Sequence, residues 1–131
     1  MAELSDKARG LFEGSNLLFV GTVNADGSPQ VTPVWTALDN GHITFNTAIG
    51  RAKERNLRRD PHVGLSIAAK DDPFKKVDIV GRVVEFIEGD EADAQIDDLS
   101  EKYLAQRPYP WHREDEQRVK IVIEPMRVYE M

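Results

Sequence analysis

The 131 residues suit one domain with a modest core, and 40% hydrophobic against 31% charged residues describes a globular chain with a polar surface. No apolar run approaches the roughly 20 residues that span a bilayer, the opening MAELSDKARGLFEG lacks a secretory profile, and the absence of cysteine excludes disulfides and thiolate-held metals. A formal net charge of −6 argues against nucleic acid and anionic membrane as partners, and a cytoplasmic protein is expected.

Residues 5–13 (SDKARGLFE) predict a short leading helix with Ser5 as its cap. Residues 17–23 (LLFVGTV) read as a strand, and Asp26-Gly27 beyond them is a hairpin signal. The run 30–37 (QVTPVWTA) predicts a second strand, with Val31, Pro33 and Trp35 on one face and Thr32, Val34 and Thr36 on the other. Pro33 has no N–H to give a ladder, so an edge or bulged stretch is expected there, with backbone left for a ligand. Asp39-Asn40-Gly41 makes the next turn, residues 42–47 a third strand, and residues 50–60 a helix that Pro61 ends. Residues 63–69 give a fourth strand, 70–73 a turn, and 76–87 a long fifth strand with Gly81 as a bulge or bend. Over residues 90–105, Ala92, Ile96, Leu99 and Tyr103 recur at helical spacing. A polar, proline-containing stretch, 106–116, leads to a sixth strand at 118–124. Six short strands in mostly hairpin order, with helices inserted, predict a mainly β fold, a six-stranded antiparallel β-barrel or sandwich in one domain over residues 1–131.

Charge is unevenly placed. Residues 51–60 hold five bases (Arg51, Lys53, Arg55, Arg58 and Arg59) against Glu54 and Asp60, whereas 88–101 hold seven acids and no base. Such an island is either a solvated helix face or a local anion site. Dinucleotide-loop, phosphate-loop and nucleophile-elbow signatures are missing, and His42, His62 and His112 lack metal-ligand spacing, so no metal site is expected. What remains is NTAIGRAKERNLRRD (46–60): a strand end, a glycine, then a basic helix start. Helix starts present unpaired N–H groups and a positive dipole end, and Arg51 and Lys53 in that first turn would complete a cradle for a phosphate. Thr47 adds a hydroxyl donor at the strand end. Trp35 fits either a core or a ligand wall, and Trp111 in its polar stretch fits a pocket rim. Arg58 and Arg59 are expected at the surface or paired with the acidic segment.

Several stretches together carry a resemblance: TVNADGSPQVTPVW (22–35), NTAIGRAKERNLRRDPHVGLSI (46–67), VDIVGRVVEF (77–86), RPYPW (107–111) and RVKIVIEPMRVY (118–129). In this order and spacing the chain resembles the flavin-binding split-barrel superfamily that includes pyridoxamine 5′-phosphate oxidases. Within it, the chain is most similar to the deazaflavin-dependent (coenzyme F420) oxidoreductase branch. The resemblance implies a six-stranded antiparallel split barrel that forms a homodimer with the cofactor in a groove at the subunit interface. It implies that Arg51 and Lys53, with Asn46 and Thr47 beside them, hold the phosphate. Thr32, Pro33, Val34 and Trp35 would run beneath the ring and meet it through backbone groups, and Lys76, Val77 and Trp111 would reach the site from the partner subunit. The implied activity is hydride transfer from reduced coenzyme F420 to an unsaturated or quinone-like small molecule. FMN on the same fold, or a non-catalytic carrier of either cofactor, are the alternatives. The resemblance assigns no catalytic acid or base. The chain ends at Met131 without the longer arginine-bearing segment with which pyridoxamine-phosphate oxidases hold substrate, so vitamin B6 oxidation is not expected.

Overall fold

Turn and cap signals divide the chain much as predicted. The computed structural model describes residues 1–130, and Met131 lies outside the described residues. The elements are α1 (Asp6–Glu13), β1 (Leu18–Val23), β2 (Pro29–Val34), β3 (Thr36–Asp39), β4 (His42–Ala48), α2 (Ala52–Arg59), β5 (His62–Ala69), β6 (Asp72–Glu88), α3 (Asp90–Leu104) and β7 (Arg118–Glu130). Ser5 caps α1 as expected, its hydroxyl accepting from the Ala8 N–H.

The seven described strands form one sheet in the order β2-β1-β5-β6-β7-β4-β3, antiparallel throughout. β2 and β3 are its opposite edges, yet only Trp35 separates them in the chain. Consecutive Cα atoms lie about 3.8 Å apart, so the two edges must meet at Trp35. The sheet therefore curls into a barrel with its seam at that residue. This corrects the expected six strands to seven. The run 30–37 is not one strand but two sheet edges, and the break is marked by the Thr36 N–H, which donates to the Tyr103 hydroxyl (3.1 Å). The edge position of β2 accommodates Pro33, opposite Phe19 of β1, as expected.

β6 and β7 run longer than predicted. β7 continues through Pro125 because that residue sits opposite Gly81, where the β6–β7 register shifts. A Cβ on Gly81 would lie 2.6 Å from Ile123 Cγ2, so the bulge requires the bare backbone. β6 starts at Asp72 because the turn is confined to Lys70 and Asp71.

The barrel interior holds Leu18, Val20, Ile43, Phe45, Ile67, Val77, Ile121 and Ile123, with Leu11 and Phe12 of α1 packed into the same core. α3 covers the outside of β4, β6 and β7, burying Ala92, Ile96 and Leu99 of its predicted stripe. β4 is consequently buried on both faces. Ile43, Phe45 and Thr47 point one way, while Thr44 and Asn46 lie under α3. There the Gln95 amide donates to Thr44 Oγ1 (3.0 Å), and Asn46 donates to the Ala92 carbonyl (2.9 Å) and Gln95 Oε1 (3.0 Å). Among the described residues no helix is long and apolar enough to cross a membrane.

Candidate functional site

The basic segment is built around a turn. Gly50 carries φ +94°, a region where a side chain is strained, and it lets the chain leave β4 and enter α2 within a few residues. Its N–H donates to Glu54 Oε1 (2.8 Å), and Arg51 occupies the N-cap without a side-chain cap bond. Arg58 pairs with Glu54 and Glu88 and lies over the Phe86 ring, while Arg59 donates to the Val23 carbonyl and to Asn56. These two arginines are engaged elsewhere, as expected.

Pairing of β4 with β7 sets Ala48 opposite Arg118 and so brings a third cation to the turn. The Arg118 side chain is only 3% exposed. It donates from Nε to Asn46 Oδ1 (2.7 Å) and from Nη1 to Glu116 Oε1 (2.7 Å), with its guanidinium 5.6 Å from the Tyr109 ring centre. The other Glu116 oxygen accepts from Arg51 Nη2 (2.7 Å). Burial pushes the Glu116 carboxyl up, but Arg118 and Arg51 outweigh it and hold the group below its usual value. Lys53 is half-buried and has no hydrogen bond or ion pair among the described residues. Burial first, then repulsion from Arg51 and Arg118, pushes its ammonium below the ordinary 10.5.

Asn46, Arg51, Lys53 and Arg118 form one end of a cleft of about 240 Å³, with Leu17, Pro33, Val34, Trp35, Ile96, Leu99, Tyr109 and Trp111 along the rest. Trp35 stacks on Tyr103 (centroids 5.5 Å apart, planes at 14°) and meets Tyr109 edge-on at 6.1 Å; Trp111 lies 6.3 Å from it. The Tyr103 hydroxyl donates to the Asn16 carbonyl (2.6 Å), and the Tyr109 N–H donates to Asp97 (2.9 Å), so both rings are fixed from behind. A cationic end and a flat aromatic and aliphatic body suit an elongated ligand with an anionic group and a planar ring.

The structure gathers Pro33, Val34, Trp35, Asn46, Arg51, Lys53 and Trp111 into this cleft. Trp35 is a half-buried wall rather than part of the core. Thr32 and Thr47 do not line it, and their hydroxyls are buried without a hydrogen-bond partner among the described residues. For Thr47 this overturns the expected hydroxyl donor: two-residue alternation puts it on the face of Ile43 and Phe45. Val77 is fully buried in the core and Lys76 pairs with Asp78 (2.9 Å), so neither lines this chain's own cleft. Sequence reasoning missed Arg118, Glu116 and Tyr109. The signal available for the first two was an acid and a base two residues apart at the opening of an apolar strand.

The sequence model of the pyridoxamine 5′-phosphate oxidase family matches residues 4–131. Among solved structures, the fold superposes on an F420 reductase with a TM-score of 0.86 and 26% identity, covering 98% of this chain and 100% of that one. A conserved hypothetical protein from Mycobacterium tuberculosis gives a TM-score of 0.74 at 26% identity, over 95% of this chain and 82% of the other. A heme binding protein from Mycobacterium smegmatis shares the fold, with a TM-score of 0.66 and 24% identity over 98% of this chain and 54% of that one.

Proposed function

Because this chain belongs to the pyridoxamine 5′-phosphate oxidase family, a flavin-binding oxidoreductase fold, we propose that its cleft holds coenzyme F420 and that the protein is an F420-dependent oxidoreductase. The observation that carries this reading is Lys53, a half-buried cation with no partner among the described residues, between two arginines at one end of an aromatic cleft. A desolvated, unpaired ammonium is unfavourable unless an anion joins it. Such a cluster fits the phosphate that a flavin or deazaflavin carries on its ribityl chain. Likeness to an F420 reductase over the full length of both chains favours the deazaflavin over FMN.

The chemistry supplied by the bound, reduced cofactor is hydride transfer to an electron-poor unsaturated or quinone-like small molecule. The chain's own residues provide position and surroundings. Arg51, Lys53 and Arg118 hold the phosphate, and Asn46 keeps the Arg118 guanidinium aimed. β2 is a sheet edge, and those backbone groups of residues 32–35 that do not pair with β1 would meet the ring. Trp35, Tyr109 and Trp111 supply flat apolar surface against which a planar substrate would stack. Trp111 is 59% exposed, so the cleft mouth stays open to solvent and water protonates the product.

We also propose a homodimer in which the 76–77 segment of one copy approaches the cleft of the other. Exposed Phe19, Val23 and Val31 on the outer face of β1 and β2 supply the apolar surface that pairing would cover. The direct test mixes the protein with reduced coenzyme F420 and a panel of enones and quinones, following cofactor oxidation by absorbance. Substrate-dependent oxidation is expected. Tight binding with no turnover across the panel would favour a carrier, and micromolar binding of FMN with none of F420 would overturn the cofactor assignment.

A further inference from the structure

Glu116 is a carboxylate that lies just outside the cleft and bridges two of the three cations at its end, Arg51 and Arg118. Its side chain is 10% exposed and bridges two arginines, each at 2.7 Å. The two arms differ. The Arg118 side chain is 3% exposed and also held by Asn46 and the Tyr109 ring, so breaking its pair would strand a buried charge. The Arg51 side chain is 50% exposed, and among the described residues its guanidinium bonds only Glu116. An ion pair that open to water is weak and easily exchanged.

We propose that Glu116 is an internal anion that competes with the ligand for Arg51 and thereby sets the anion affinity and selectivity of the cleft. This rests on the reading of the cleft as a phosphate site. An arriving phosphate takes Lys53 outright and Arg51 by exchange, while the Glu116–Arg118 arm stays in place. Discrimination follows from the number of contacts. A phosphoryl group has several oxygens and can meet Lys53 and Arg51 together, which offsets the broken pair. A single-point anion such as chloride meets one cation at a time, and at Arg51 it gains too little to displace Glu116. Glu116 thus closes Arg51 to small anions while leaving it open to a phosphoryl group that Lys53 already holds.

The test titrates inorganic phosphate and chloride into the wild-type chain, Glu116→Gln and Glu114→Gln, following backbone amide NMR shifts at residues 50–54. Glu116→Gln keeps an oxygen for Arg118 and removes the charge facing Arg51. It is expected to bind phosphate roughly fivefold more tightly, the scale of one half-exposed ion pair, and to show chloride-dependent shifts at Arg51 that the wild-type chain lacks. Glu114→Gln, an exposed change in the same stretch, is expected to match wild type. In an Arg51→Ala background the gain from Glu116→Gln is expected to vanish. Equal or weaker phosphate binding by folded Glu116→Gln, an equal gain in Glu114→Gln, or a gain that survives Arg51→Ala would each overturn the proposal. If Glu116→Gln does not fold, Glu116→Asp, too short to bridge both arginines, must show the same tightening or the proposal fails. A wild-type chain that takes up no phosphate would overturn the underlying phosphate site itself, a result distinct from all of these.

Discussion

At the scale of single residues, the cleft's electrostatics centre on the Lys53 ammonium, half-buried between Arg51 and Arg118 with no partner among the described residues. Its lowered pKa gives a signed pH dependence. The free protein begins to lose this charge below pH 10.5, whereas a bound phosphate would hold the proton on. Phosphate affinity is therefore expected to fall as pH rises through the lowered Lys53 value, below 10.5. Calorimetry in buffers of different ionisation enthalpy should show proton uptake on binding in that window. In Lys53→Met both the fall and the uptake should disappear. Arg51 and Lys53 were legible in the sequence because strand end, glycine and helix start are contiguous there. Thr47, beside them, was legible as a residue of the turn but misassigned. The same two-residue alternation that buries Ile43 and Phe45 turns its hydroxyl inward.

At the scale of elements, the seam at Trp35 shows why the strand count was not legible. QVTPVWTA reads as one β run in which Pro33 marks a sheet edge, but nothing local at Trp35 marks the passage from one edge to the other. The break comes from barrel closure and from Tyr103, 67 residues away, whose hydroxyl accepts the Thr36 N–H and whose ring stacks on Trp35. Tyr103→Phe keeps the ring but orphans that N–H and the Asn16 carbonyl. It is expected to destabilise the fold by about 1–3 kcal/mol, read as a lower denaturant midpoint with unchanged slope. The Trp35–Trp111 contribution to near-ultraviolet circular dichroism should change alongside. A midpoint equal to wild type would mean the seam does not need the bond. Arg118 was hidden for a related reason. Only the β4–β7 register, with Ala48 opposite Arg118, carries it to the Gly50 turn.

At the scale of the whole molecule, sheet order and curl leave the β1–β2 outer face uncovered, with Val31 at 63% exposure beside Gly21 and Phe19 opposite Pro33. The mainly β barrel was legible from six alternating runs and their turns, since the apolar period survives any closure. What covers the outer face was implied only by resemblance. Light scattering is expected to give a dimer mass for the wild-type chain and a monomer mass for Val31→Lys, with the far-ultraviolet spectrum unchanged. A monomeric wild-type chain with full cofactor affinity would rule out an interfacial groove.

The central claim, that the cationic end of the cleft holds a phosphate-bearing deazaflavin, is tested most directly by titrating coenzyme F420 into the wild-type chain and Lys53→Met. The chain's two tryptophans, Trp35 and Trp111, both line the cleft, so their emission reports on its occupancy. The wild-type chain should be quenched with micromolar affinity, and Lys53→Met should bind more weakly by about 1–3 kcal/mol, the range for a charge-assisted hydrogen bond, while melting no lower. Equal affinity in the two proteins, or no quenching of either, would contradict the account.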